Sequence, residues 1–375
     1  MVAIEDHAMN QVSRKENQPR RNTLVEFLTE GLAGSLLAFV LALVTATILI
    51  EVAGFDAPEG YRAMLSGAFG SPIALADVLA RSTPLIFTGL SVAVGLRAGL
   101  FNVGSEGQLL LGAMAALLVG LIQGVPMRMH WLHVLFAYAA AAIVGGLWGI
   151  VPAILKARFR AHEVITTIML NYVAILITGY LANYPLHPPG EMLPATARVV
   201  ESAKLSRLVQ GSQLTIALFV GIGCAILLGL LFKQSVLGYE IRAVGLNRLA
   251  AEAKGISQTR VWLVAMAIGG AMAGMGGAGE VLGVHRRFVE GFSPGYGFDG
   301  IAVALIGNKN PVTIVLAALL LGAIRTGALV MDRTTSIPAD FVMVIQGVLL
   351  IFLAVPAILQ IILERRRAVI VQDQY

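Results

Sequence analysis

The sequence predicts an all-α, polytopic helical membrane protein, and three observations carry that prediction. Of its 375 residues, 57% are hydrophobic and only 13% charged, against about 25% charged in soluble domains. Mean hydropathy is +0.80. Apolar runs long enough to cross about 30 Å of hydrocarbon recur along most of the chain, separated by short polar or basic connections. A soluble globular domain is excluded by these three together.

The first apolar run, 32–54, follows a polar tail, 1–31, that contains Arg14, Lys15, Arg20 and Arg21. It extends about 22 residues, beyond the 7–15 of a signal-peptide core, and reads as a retained span. Further runs lie at 74–96, 107–124, 131–153, 164–183, 214–232, 261–283, 311–331 and 338–361. These alone would put the two tails on opposite sides of the membrane. The C-terminal tail, 365–375, is also basic, with Arg365, Arg366 and Arg367, and the positive-inside tendency places both tails in the cytoplasm. One further crossing is therefore required, and GYGFDGIAVALIGNKN (295–310) is its only candidate. Its apolar part is about 11 residues, or about 16 Å, which predicts a short or broken helix. A transmembrane domain of about ten helices over 32–364 results, with most of the 27 Lys and Arg on the cytoplasmic side.

In this layout 183–213 is an external loop, rich in proline and mixed charge, ordered and open to a partner. The internal counterpart, 233–260, carries a short capped helix: Asn247 as N-cap, RLAAEAK (248–254) as two turns, and Gly255 at the left-handed C-terminal position. It reads either as a docking helix for a partner's groove or as an ordinary solvated turn. Glycines at small-residue spacing in GGLWG (145–149) and GGAMAGMGGAG (269–279) predict close helix packing. The single cysteine, Cys224, lies in an apolar run and reads as a packing residue.

Catalytic patterns are missing. The chain has no G-x-S-x-G, no H-E-x-x-H, no Cys/His cluster for a metal and no Gly-Lys phosphate loop, so it is read as non-enzymatic. Any ATP and magnesium it uses would be bound by another subunit.

The informative polar residues sit at span ends or at membrane depth. In FNVGSEGQLLLGA (101–113), Ser105 and Gln108 match an S-x-x-Q capping box at a cytoplasmic helix start, and Glu106 complements the helix dipole as a helix-start or inner-gate residue. Glu163 opens another span in the same way. Asp77 and Arg81, four apart, read as an intrahelical ion pair. Asn102, Asn171, Glu280 and Asp299 are candidates for a translocation path, with interhelical hydrogen bonding as the rival reading for each.

Five ordered blocks, FNVGSEGQLLLGA, AHEVITTIMLNYVA (161–174), GYEIRAVGLNRLAAEAKGIS (238–257), GEVLGVHRRF (279–288) and GYGFDGIAVALIGNKNP (295–311), give the chain its family character. It resembles the permease subunits of bacterial ABC importers for simple sugars and nucleosides, and is most similar to the nucleoside branch. The resemblance implies the ABC importer permease fold, a bacterial cytoplasmic (inner) membrane location and an ATP-driven import function. It implies that Arg242, Gly245, Asn247, Ala250, Ala251 and Gly255 form the segment that rests on an ATPase subunit. A second permease, commonly a nonidentical homologue, and an extracytoplasmic substrate-binding protein are the other implied partners. The alternative is an ion- or proton-coupled secondary transporter of a small polar solute, which would carry coupling carboxylates near midspan.

Overall fold

Lipid offers the backbone no hydrogen-bond partner, so apolar stretches of spanning length satisfy their N–H and C=O groups internally as helices. The computed structural model describes residues 32–338 and, beyond them, Phe341, Val344, Gly347, Val348, Ile351 and Phe352. The tail 1–31, most of the last predicted span (338–361) and the tail 365–375 lie outside the described residues. The chain divides into two units. To one belongs α1 (Leu32–Val52), an apolar helix of 21 residues, which at 1.5 Å per residue is about 32 Å long.

The other unit, Phe55–Val342, holds the remaining elements. They are α2 (Ala57–Phe69), α3 (Pro72–Arg97), α4 (Ser105–Gly120), α5 (His130–Phe159), α6 (Glu163–Asn183), α7 (Ala217–Gln234), α8 (Val236–Leu246), α9 (Arg248–Ala253), α10 (Gln258–Gly279), α11 (Tyr296–Ile306) and α12 (Pro311–Thr334). Among the described residues six helices are long and apolar enough to cross a membrane: α3, α5, α6, α7, α10 with its continuation to Val284, and α12. The protein is a multi-pass membrane protein. α4 and α11 are shorter, with 16 and 11 residues.

α2 has no counterpart among the predicted spans. It is only 13 residues long and carries Glu59 and Arg62, so it offers no apolar run. Its start is nevertheless written locally: Asp56 Oδ1 accepts the Glu59 N–H at 2.9 Å, and a proline occupies the first turn. Gly60 and Gly67 let it lie against Ile337 and Val330, and Gly327 of α12 lies against the Met64 backbone.

The core is built by close backbone approach. On α5, Gly145 abuts Gly270 and Gly274 of α10, and Gly149 abuts the Met266 carbonyl. On α4, Gly112 meets Gly274, while Gly277 of α10 faces the Leu109 carbonyl. A Cβ at Gly274 or Gly277 would fall on a carbonyl oxygen of the neighbouring helix. Both predicted small-residue stretches thus seat α10 between α4 and α5. α3, buried from Ser82 to Gly95, completes the centre.

The loop after α6 is anchored on the segment after α10. Thr196 N–H donates to Phe288 O at 2.9 Å, Val199 N–H to Arg286 O at 2.9 Å and Leu205 N–H to Leu282 O at 3.0 Å. Asp77 accepts from Ser212 Oγ at 2.6 Å, and no ion pair among the described residues joins it to Arg81, so the expected i,i+4 pair is replaced by a tie to this loop.

Candidate functional site

α3 ends at Arg97, and Gly99, at φ +73°, turns the chain back in a conformation that side chains resist. The returning segment climbs along α3: Asn102 Nδ2 donates to Ser91 Oγ at 3.3 Å, a level about 9 Å above Arg97 on the helix axis. α4 therefore begins inside the bundle. Ser105, Glu106 and Gln108 are 0%, 5% and 1% exposed. This corrects the expectation that the helix starts at the membrane boundary, and it explains how a 16-residue helix can reach the far side.

The capping box does not form. Gly104 is the N-cap, without a side-chain bond, and Ser105 Oγ pairs with Ser91 Oγ at 2.9 Å. Gln108 instead exchanges amide hydrogen bonds with Asn102, at 3.1 and 3.2 Å. Buried amides must satisfy one another where water is excluded. The backbone at the start of α4 is served from outside the helix. Asn171 Oδ1, on α6, accepts the Gly107 N–H at 2.9 Å, and its Nδ2 donates to Val103 O at 2.9 Å.

Glu106 occupies the first turn of α4, as expected, but its carboxylate serves α11. It accepts the Gly297 N–H at 2.6 Å, and the Ser293 side chain, whose Oγ accepts the Tyr296 N–H at 3.2 Å, lies near it. α11 runs alongside α3 toward the Arg97 end: Gly300 lies on Thr88, Val303 on Gly89, and Lys309 O accepts from Arg97 Nε at 2.7 Å. Its 11 residues cover about 16 Å, so its N-terminus lies near mid-depth. Two helix N-termini therefore meet head to head. Each carries roughly half a positive charge, which the Glu106 carboxylate between them offsets.

Beside this junction, Asp299 of α11 forms an ion pair with Arg325 of α12, whose guanidinium lies 5.5 Å from the Tyr296 ring centroid. Glu280 opens a π-helical turn, Glu280–Val284, and its Oε2 lies 3.6 Å from His285 Nε2. Both Glu280 and Arg325 lie within electrostatic range of Tyr296. The four path candidates thus fall into two groups. Asp299 and Glu280 gather around Tyr296 and Arg325, whereas Asn102 and Asn171 direct their amides to the protein itself. Arg325 and Tyr296 escaped the sequence reading, although an arginine within LLLGAIRTGAL was a visible signal of a midspan partner. Glu163 sits at the start of α6 and pairs with Lys156 Nζ at 2.5 Å.

The internal connection has two helices rather than one. Ser235 caps α8, and Asn247 Oδ1 accepts the Ala250 N–H at 3.0 Å to start α9, which Gly255 (φ +79°) follows. Gly245 packs directly on the Arg97 carbonyl and Gly99, and Arg248 Nη2 donates to Gly99 O at 3.1 Å while lying 5.3 Å from the Trp262 ring centroid. Of the residues expected to face an ATPase, Ala250 and Asn247 are exposed, Arg242 is half-buried and Ala251 is turned inward at 4% exposed. Within this connection the most exposed apolar side chains are instead Leu246 and Leu249, 87% and 80% exposed.

Residues 74–354 match the family described as the branched-chain amino acid transport system permease component. The chain is 38% identical over 325 residues to the guanosine ABC transporter permease protein NupP of Bacillus subtilis, covering 85% of this chain and 92% of that one. It is 32% identical over 347 residues to the nucleoside ABC transporter permease protein NupB of Lactococcus lactis, covering 89% and 93%. A glucose ABC transporter permease of Haloferax volcanii is 34% identical over 346 residues, covering 89% of each. No solved structure matches the chain.

Proposed function

We propose that this chain, which belongs to the family of branched-chain amino acid transport system permease components, carries a nucleoside across the bacterial cytoplasmic membrane. It is a non-catalytic permease subunit of an ABC importer and works with an ATPase and a binding protein. The observation that carries the nucleoside reading is the end-to-end similarity to the guanosine permease, 38% over 92% of that protein. ATP and magnesium are held by the partner ATPase. A second permease, nonidentical to this one, completes the path, and both termini face the cytoplasm.

The local geometry supports a mechanism. Leu246 and Leu249 offer the ATPase an apolar contact at the start of α9. Movement of α9 reaches Gly99 through Arg248 and through Gly245. Gly99 belongs to the same hairpin as Asn102, whose amide is bonded to Gln108 one turn into α4. The next link is Glu106 and the N-terminus of α11. ATP-driven displacement of α9 is thereby transmitted to the mid-depth junction, where Asp299, Glu280 and Tyr296 line the path and exposed backbone amides can meet a polar solute. Asn102 and Asn171 hold this junction in place.

The test is uptake of labelled guanosine by cells carrying the complete system, with unlabelled nucleosides or glucose as competitors. Competition by nucleosides and loss of uptake in an ATPase-inactive strain support the proposal. Competition by glucose alone would overturn the substrate class. Uptake that survives without ATP hydrolysis but collapses with the proton gradient would return the secondary-transporter reading.

A further inference from the structure

At the Arg97 end of the bundle, α3, α7, α8 and α12 enclose a furrow of about 590 Å³. Its mouth holds Arg97, Lys233 and Arg242, and its floor and walls include Ile226, Gly229 and Leu230 of α7. Among the described residues no carboxylate pairs with any of the three cations. Arg97 is fixed in place: its Nε donates to Lys309 O at 2.7 Å and its guanidinium lies 4.3 Å from the Phe232 ring centroid. Arg242 is close enough for the two guanidinium charges to repel. A cluster of like charges at a membrane boundary, anchored at Arg97 and without a paired carboxylate among the described residues, is complementary to an anion.

The apolar part of the furrow indicates what kind of anion. Ile226 and Leu230 are 57% and 45% exposed, and both lie on the spanning helix that ends in Lys233. From Ile226 to Lys233 the wall extends about 10 Å along the axis, enough to lie beside the first part of an acyl chain. A Cβ built on Gly229 meets nothing within 4 Å, so the furrow is open at the middle of this wall. A soluble anion would use only the charged mouth, whereas a lipid uses both parts.

We infer that this furrow binds a phospholipid of net negative charge, with its phosphate among Arg97, Lys233 and Arg242 and an acyl chain along α7. The site is separate from the mid-depth junction and does not depend on which solute is carried. It stabilises the crossing of α3, α7, α8 and α12, the place where the coupling helices leave the bundle.

Native mass spectrometry of the full-length transporter in detergent tests this, with phosphatidylglycerol, phosphatidylcholine of the same chains, and glycerol 3-phosphate as probes. The expected result is selective retention of phosphatidylglycerol. The double substitution Lys233→Gln/Arg242→Gln should weaken its binding about 25-fold, from roughly a factor of five for each surface charge. Gly229→Phe, which enters open space, should lower lipid occupancy and the stabilisation that added phosphatidylglycerol confers, with the melting temperature of the lipid-free protein unchanged. Equal retention of phosphatidylcholine would overturn the proposal. So would displacement of phosphatidylglycerol by glycerol 3-phosphate, which marks a soluble-anion site, or wild-type occupancy in both variants.

Discussion

Asn171→Leu removes the side-chain amide that joins α6 to the start of α4 while keeping similar volume. Two buried backbone groups lose their partner, the Gly107 N–H and the Val103 carbonyl, each bonded at 2.9 Å. An orphaned buried donor or acceptor costs about 1–3 kcal/mol, so the pair amounts to about 2–6 kcal/mol. Gly107 lies in the first turn, where no intrahelical acceptor is available, so the helix cannot compensate. Water is a poor replacement at a site where Asn171 is 2% exposed. The assay is melting of the purified transporter followed by size-exclusion chromatography, together with uptake normalised to assembled protein. A fall of roughly 5 °C or more is expected, since about 1 kcal/mol moves a large domain by about 2–4 °C. Uptake should fall in proportion to the loss of assembled protein. An unchanged melting temperature with abolished uptake would refute this reasoning and return Asn171 to the translocation path.

Arg248→Gln removes the guanidinium that holds Gly99 O and Trp262; uptake should drop several-fold, to be measured beside ATPase co-purification, which should persist. Leu249→Asp acts on the other side of α9: with the side chain 80% exposed, stability should change by less than about 0.5 kcal/mol while the ATPase is lost on affinity purification. Gly274→Val places methyl groups on the Ala141 carbonyl and on Gly145, and should abolish membrane accumulation on immunoblots. Gly223→Ala, where a Cβ meets nothing within 4 Å, should accumulate normally and serves as its control.

Most of the fold was legible because hydrophobic length is a one-dimensional signal. The runs at 74–96, 131–153, 164–183 and 311–331 correspond closely to α3, α5, α6 and α12, since no other structure satisfies an apolar backbone in lipid. The short segment near 295–310 was legible for the same reason: its apolar count was too small to span, and α11 has 11 residues. α2 was missed because its position is determined by Gly60, Gly67 and Gly327 packing against distant side chains and backbone, a pairing that leaves no hydropathy trace. Its Asp56-x-x-Glu59 start is a local cap signal in the sequence, but without an apolar run it points to no span.

The site was legible in part, and Glu106 shows where the limit lies. Sequence spacing correctly placed it in the first turn of a helix, because capping and dipole preferences depend only on neighbours along the chain. What its carboxylate meets depends on a second helix end arriving from 191 residues away. The same limit undid the Ser105–Gln108 capping box. At a solvated helix start that pair would bond to its own backbone, but α4 starts beside Ser91 and Asn102, which offer the side chains better-placed partners. The departure from the local rule is therefore itself informative. A polar helix start that ignores its own cap and bonds across to α3, α6 and α11 makes one unit of four helices around mid-depth. In the mechanism proposed above, displacement of the Gly99 hairpin would move these helices together, and the shared junction is what would give the short α9 helix leverage over the path.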